Sequence, residues 1–290
     1  PPRSTPKPSS AASDVYKRQE IGGTEYLIPM VKTKKFFFTI FSSIPQGYGG
    51  VFSLGDNNIR DDTLLKILLD VTNSKTSLLK ISFPPLWRVE LPETLRISKL
   101  NSVWGYTHIL ELKGNFNDVW GKKVKKVKRK NARRAEKKGV EVKKKKSIKY
   151  LRDFYVIFKK ASEERWGYKK PPLSWAFFYN LYKLGKEYID IKTAVYDGVS
   201  IGGAITFRFG RNLFVFYVVF LSEYAKLYPV ELLYREIIKS GCEKGFKIIN
   251  FGASGNYKGV ARFKELFGAE KVDVHIYKVG SPFLRLLKFR

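Results

Sequence analysis

The sequence predicts an α/β chain of the α+β kind, built as two units in which mixed antiparallel and parallel sheets are flanked by helices. Three observations point there. Of the 290 residues, 44% are hydrophobic and 15% aromatic, ample for a core, and the length suits two domains of ordinary size. Short β-branched and aromatic runs alternate with stretches whose apolar residues recur every three or four positions. From residue 146 onward the order reads helix, helix, strand, strand, strand, helix, strand, helix, strand, an antiparallel meander feeding βαβ units.

Residues 1–19 read as a non-native, tag-like segment. They open Pro1-Pro2, are rich in Pro and Ser, and at 14–19 spell DVYKRQ, similar to the translation of a transposase end sequence used to tag sequencing libraries. The native text is expected to begin near Glu20, with an N-terminal piece missing. Residues 24–31 and 35–41 then read as strands, and Pro45, Gly47, Gly49 and Gly50 as a loop. Apolar residues at 64, 65, 68, 69 and 71 predict a helix over 61–73, capped by Asp61 or Asp62. Strands follow at 77–83, ended by Pro84-Pro85, and at 104–112. Trp120, Val124, Val127, Ala132 and Ala135 predict one helix over 119–138 with a buried stripe, ended at Gly139. Helices over 148–165 and 173–186 precede a hairpin, 189–196 and 201–209, turning at Asp197-Gly198. A strand at 213–221, a helix opening at Pro229, a strand at 247–251, a helix over 259–267 and a strand at 272–279 complete the chain. The expected division is an incomplete N-terminal unit, 20–145, closed by the basic helix 119–138, and a C-terminal unit, 146–290.

The formal net charge is +29. Residues 122–146 alone carry 15 Lys/Arg against Glu136 and Glu141, or +13. Such a surface attracts phosphates on nucleic acid, anionic lipid or nucleotide-linked substrates. Arg129, Lys130, Arg133, Arg134 and Lys137 are the candidate polyanion-binding residues; the plainer reading is a solvated helix face. Cys242 is the one cysteine, so no intrachain disulfide forms, and His108, His275 and Cys242 are too few for a zinc site. No metal or bound cofactor is expected. The longest apolar run, 213–221, suits a buried strand and not a membrane span. The tail 283–290, FLRLLKFR, suits contact with an anionic membrane surface. A cytoplasmic protein is expected, peripheral at the inner face of the membrane.

No P-loop and no Ser-His-Asp set is visible, and Gly202-Gly203 lies within a strand, where close backbone packing is its role. The informative stretch is 250–269, NFGASGNYKGVARFKELFGA. A strand ends in a Gly-rich loop that runs into a short helix, an arrangement that aims backbone N–H groups at an anion or a developing oxyanion. Lys264, with Arg262 and Lys258 nearby, would add a mobile cation. The alternative is a helix packed by Phe263, Leu266 and Phe267 with solvated lysines. Asp153, Glu163 and Glu164 are unranked candidates for a base.

These motifs resemble those of the FemAB-like aminoacyl- and acyltransferases of the GNAT-like superfamily. That family's C-terminal signature, D-F-G, then G, then F-K-x-x-[FW]-G, is similar to Asn250-Phe251-Gly252, Gly259 and Phe263-Lys264-Glu265-Leu266-Phe267-Gly268, with Asn250 in place of Asp. Tyr48-Gly49-Gly50 resembles its early Y-G-G loop. Trp120 through Lys137-Lys138-Gly139-Val140 resembles its basic helix, and Asp197-Gly198, Gly202-Gly203 and Phe216-Tyr217 its central hairpin. The resemblance runs over nearly all of residues 25–280. It implies tandem GNAT-like domains that move an aminoacyl group from aminoacyl-tRNA, or an acyl group, to an amine or hydroxyl of a peptidoglycan precursor or surface polysaccharide. The expected partners are tRNA or another phosphate-bearing donor and a lipid-linked or nucleotide-linked glycan acceptor. It also implies Lys264 as the catalytic residue. Phe263, Arg262, Tyr257, Lys258, Gly259, Asn250, Gly252, Tyr217, Tyr48 and Gly49 are the candidate substrate-binding residues. Two rivals stand. An acyl-CoA-dependent N-acyltransferase would need an amide-rich pyrophosphate loop such as [QR]-x-x-G-x-[GA] near 222–229, where none is seen. A non-catalytic nucleic-acid-binding protein would place stacking aromatics among the basic residues, and 121–146 have none.

Overall fold

The computed structural model describes residues 13–21, 24–35, 38–42, 52–53, 66–67, 70, 77–85, 96–99, 105–144, 147–255, 257–274 and 276–280. The loop at Tyr48-Gly49-Gly50 and the tail 283–290 lie outside them. Of the helix expected over 61–73, residues 66, 67 and 70 are described; all are helical and Ile67 is buried.

The chain forms two compact units, Pro1–Tyr106 with Val272–Arg290, and Thr107–Lys271. This differs from a division between 140 and 150. The reason lies in strand pairing and packing. The 104–112 stretch and the basic helix are built into the second unit, and the last strand returns to the first.

The first unit holds β1 (Ser13–Ile21), β2 (Thr24–Lys35), β3 (Phe38–Ser42), β4 (Phe52–Ser53), β5 (Ser77–Ser82) and β6 (Arg96–Lys99), with the final strand β14 (Ile276–Gly280) between β5 and β6. The pairs are antiparallel except β3 with β5. Residues 13–19, set aside as tag-like, are part of β1, whose register with β2 runs from Ser13↔Lys32 to Ile21↔Thr24.

The second unit is a seven-stranded sheet in the order β13-β7-β12-β11-β10-β9-β8. Its elements are β7 (Tyr106–Glu111), α1 (Phe116–Asp118), α2 (Lys126–Lys137), β8 (Glu141–Lys143), α3 (Ile148–Trp166), α4 (Trp175–Gly185), β9 (Ile189–Tyr196), β10 (Val199–Phe209), β11 (Asn212–Phe220), α5 (Pro229–Glu243), β12 (Ile248–Asn250), α6 (Lys258–Glu265) and β13 (Glu270–Asp273). The expected strands and helices from 148 onward are present, except that the last strand, expected over 272–279, is two: β13 in this sheet and β14 in that of the first unit. α3 is opened by Ser147, whose hydroxyl accepts from Tyr150 N, and closed by Gly167 at φ 67°, where a left-handed residue costs glycine little. It lays Leu151, Phe154, Phe158 and Ala161 on one face of the sheet, against Ile205 and Val219. α5 lays Leu232, Leu233, Ile237 and Ile238 on the other, against Ala194, Ala204, Val215 and Ile249. Gly203 earns its place by contact: a Cβ there would sit 2.9 Å from Phe154 Cδ2.

β11 and β12 are parallel but pair only over Asn212↔Ile248 to Phe214↔Asn250. Beyond Phe214 the strand continues to Phe220 while β12 ends, so the sheet splays open there. The loop that carries the candidate chemistry leaves β12 at this point.

Candidate active site

Two strands and one helix fix the loop after β12. From β7 come Thr107 and His108, both fully buried. Thr107 Oγ1 donates to Asn250 Oδ1 at 2.6 Å, and the same oxygen accepts from Gly252 N at 2.9 Å. Asn250 thus ends the strand and turns the chain, with Gly252 at φ 74° and Gly255 at φ 55° taking the left-handed positions. His108 O accepts from Phe251 N at 2.8 Å, and His108 Nδ1 lies 3.2 Å from Ser254 Oγ. From the other side α6 returns Lys264. Its Nζ donates to Gly252 O and to Ala253 O, each at 2.8 Å, and the residue is 6% exposed.

Lys264 is therefore a fixed ammonium and not the mobile one expected. Burial pushes its pKa down to about 8; the two carbonyls oppose that shift, because they accept only from its N–H groups. An ammonium has three donors, and the loop takes two. The N–H groups of Ala253 and Ser254 make no hydrogen bond among the described residues. One ammonium proton is thus unspent at the turn, while the Ala253 and Ser254 N–H groups, each anti to a carbonyl that faces the ammonium across a trans peptide, point away from it. A donor held in advance in this way stabilises charge that develops on a carbonyl oxygen without reorganising. His108 is held below its usual pKa, first by burial and then by the Lys264 charge, and is neutral at pH 7. Its Nε2 is 4.0 Å from Glu265 Oε1.

The other candidates separate into three places. Tyr257, Lys258, Gly259 and Arg262 are exposed along the loop and the outer side of α6, Arg262 with Glu265 at 3.7 Å. Phe263 turns inward. Its ring packs on Tyr234 and Phe267, at 5.6 and 5.2 Å between centroids, and Lys128 Nζ stands 3.8 Å over it. Tyr217 lies in the aromatic cluster under α3, 5.0 Å from Phe158 and 6.1 Å from Trp166. Asp153 accepts from Ser200 Oγ and Glu164 is paired with Lys160, while Glu163 is exposed; no hydrogen bond or ion pair joins these three to the loop among the described residues.

The basic segment is not one helix. α1 runs into a π-helical turn at Val119–Lys123, Val124 is extended, and α2 begins at Lys126. The break shifts the periodicity. Trp120 stacks on Phe116 and Val124 is buried as expected, but Val127 is 50% exposed. Lys128 takes the inward position in its place. Its ammonium is buried between Phe263 and Glu231 Oε1 at 2.9 Å, so α2, α5 and α6 meet at one ion pair. Lys125 N donates to Leu266 O, and Gly268, at φ 80°, has Lys123 O 2.7 Å from where a Cβ would stand. Only glycine fits that crossing, which ties the end of the loop-helix to the basic segment. Arg129 is half-buried; Lys130, Arg133, Arg134 and Lys137 are exposed.

Sequence reading missed Thr107, His108, Ser254, Lys128 and Glu231. The first two were visible as polar residues in an otherwise apolar strand, a pattern that marks buried hydrogen-bonding groups. Lys128 carried no such signal within a lysine run. Among the described residues, no cluster of three His, Cys, Asp or Glu is placed to hold a metal ion, and no helix is long and apolar enough to cross a membrane.

Residues 122–265 match the family described as Acetyltransferase (GNAT) domain. Among curated proteins none is similar in sequence at a significant level. The fold is similar to the crystal structure of FemX, with a TM-score of 0.67 at 12% identity over 96% of this chain and 91% of that one. It is similar to the C-terminal domain assigned to a lysylphosphatidylglycerol synthetase of Agrobacterium fabrum, with a TM-score of 0.62 at 12% identity over 95% and 87%. A tandem GNAT protein from the clavulanic acid biosynthesis pathway follows, at 0.51 and 13% over 93% and 83%. At such identities the likeness speaks to fold alone: mixed sheets flanked by helices in a tandem GNAT-like arrangement.

Proposed function

We propose that this chain, whose residues 122–265 match the family described as Acetyltransferase (GNAT) domain, moves an aminoacyl group from aminoacyl-tRNA to an amine or hydroxyl of a peptidoglycan precursor or surface polysaccharide. The observation that carries this reading is the loop held by Lys264. An ester carbonyl seated beside the turn would meet the third ammonium proton of Lys264. As the acceptor attacks, charge on the carbonyl oxygen is drawn to that donor, and the proton given up by the attacking amine or hydroxyl passes to the tRNA ribose, which leaves as an alcohol.

The choice of donor rests on the start of α5. A pyrophosphate is bound at a helix start by open N–H groups and the positive end of the helix dipole. Here Pro229 has no N–H, Tyr228 precedes it at φ 57°, and the buried carboxylate of Glu231 fills the first turn. That arrangement disfavours the pyrophosphate of an acyl-CoA and weighs against the first rival. The exposed cations Lys130, Arg133, Arg134 and Lys137 on α2 suit a phosphate backbone instead. FemX and the synthetase domain, which share the fold, fit an aminoacyl donor by their names.

The test is transfer itself. The full chain is incubated with charged tRNA or with acetyl-CoA, together with lipid-linked and nucleotide-linked glycan acceptors, and the acceptors are weighed by mass spectrometry. The expected result is an aminoacyl mass gain from charged tRNA and none from acetyl-CoA. Transfer from acetyl-CoA alone would replace this reading with the CoA-dependent one.

A further inference from the structure

At the end of the second unit's sheet away from the catalytic loop, three apolar side chains project into solvent. Leu184, one residue before the end of α4, is 83% exposed, Phe209 at the end of β10 is 70%, and Tyr188 just before β9 is 63%. They are neighbours in the fold. Tyr188 N donates to Gly185 O, Arg208 N donates to Tyr188 O, and the Arg208 guanidinium reaches Glu187 O. Nothing in the core needs them there, since the adjacent buried positions are filled by Ile189, Ile191 and Phe178.

Cations rim this strip. Arg211 and Lys247 are joined through the Lys247 N to Arg211 O hydrogen bond, and Lys244 is held 3.2 Å from Asp190 at the start of β9. Lys183 and Lys186 flank Leu184. Lys183, Lys186, Arg211, Lys244 and Lys247 are exposed cations of this end; Glu187, Glu243 and Glu111 are exposed anions beside them, and Lys244 is paired with Asp190.

We propose that this end of the unit is a docking surface for an anionic lipid bilayer, with Leu184, Tyr188 and Phe209 entering the headgroup boundary and the five cations meeting lipid phosphates. The chemistry separates this from a nucleic-acid surface. Leu184 offers nothing to a base or a phosphate, whereas an aliphatic tip, a Phe and a Tyr within a basic rim match the apolar and headgroup layers of a membrane. It is independent of the transfer reaction and distinct from the cations of α2, which adjoin the loop-helix.

The test is co-sedimentation of the full chain with vesicles of phosphatidylglycerol and phosphatidylcholine, or of phosphatidylcholine alone. Wild type is expected on the mixed vesicles and not on the neutral ones. The double variant Leu184→Ser/Phe209→Ser should partition at least about tenfold less, because it loses the inserted groups. Lys183→Gln/Arg211→Gln/Lys247→Gln should also weaken binding and flatten its salt dependence. Circular dichroism keeps misfolding from being read as lost binding, and all five positions are exposed. Two results overturn the proposal: no binding of wild type to the mixed vesicles, or binding that survives Leu184→Ser/Phe209→Ser and is lost with Arg133→Glu/Arg134→Glu, which would place the contact on α2.

Discussion

At the scale of single residues the account turns on protons. Lys264 has a pKa of about 8 in the folded chain against an ordinary 10.5, because burial disfavours its charge. Between those values the unfolded chain holds more protons on this residue than the folded one, so its contribution makes folding more favourable as pH rises from about 8 toward 10.5. Catalysis runs the other way, since only the ammonium carries a proton for the oxyanion. If Lys264 plays the proposed role, kcat/KM for the donor, which reports the free enzyme, should therefore fall as pH rises through about 8, by roughly tenfold per unit, while stability in urea does not fall over the same interval. Lys192, buried on β9 and also lowered to about 8, adds to the stability trend and has no contact with the loop among the described residues. A kcat/KM profile that is flat to pH 10 would separate Lys264 from the chemistry.

At the scale of elements, the joint between α2, α5 and α6 is one buried ion pair beneath an aromatic ring. Removing one partner leaves the other charged and desolvated. Lys128→Met should destabilise the chain by about 3 kcal/mol, and Lys128→Met/Glu231→Gln should recover much of that loss, as measured by urea unfolding. A single variant as stable as wild type would mean that Glu231 finds water or another cation. This joint also shows where sequence reading stopped. The spacing of Trp120, Val124 and Val127 is helical in the sequence, but the π-helical turn and the extended Val124 reset the phase, and a lysine turns inward where a valine was expected. Charge count alone gave no means of telling Lys128 from its neighbours; its partner lies about a hundred residues away in sequence.

At the scale of the whole molecule, local patterning carried the second unit well. The Asp197-Gly198 turn set the hairpin of β9 and β10, the recurrence of apolar residues every three or four positions marked α3, and Pro229 opened α5. Long-range pairing was not legible. β7 enters the second sheet beside β12, and β14 returns to the first, so the unit boundary cannot be found by looking for a change of composition along the chain. The loop–helix motif gave Asn250, Gly252 and Lys264 as one group, which the fold brings together. Thr107 and His108 stood out as polar residues of β7, but nothing local tied them to the loop, which follows them by about 140 residues.

The central claim is that the Lys264 ammonium stabilises the oxyanion of acyl transfer. Because Lys264 also pins the loop, Ser254→Ala, which loosens the same turn and keeps the ammonium, sets the scale for loop movement alone. The decisive measurement is turnover of Lys264→Met at saturating donor beside that control. A loss of about a hundredfold or more, the usual cost of one oxyanion donor and well beyond the effect of Ser254→Ala, is the predicted result. Turnover within about threefold of wild type would contradict the claim and leave Lys264 as a structural tie of the loop.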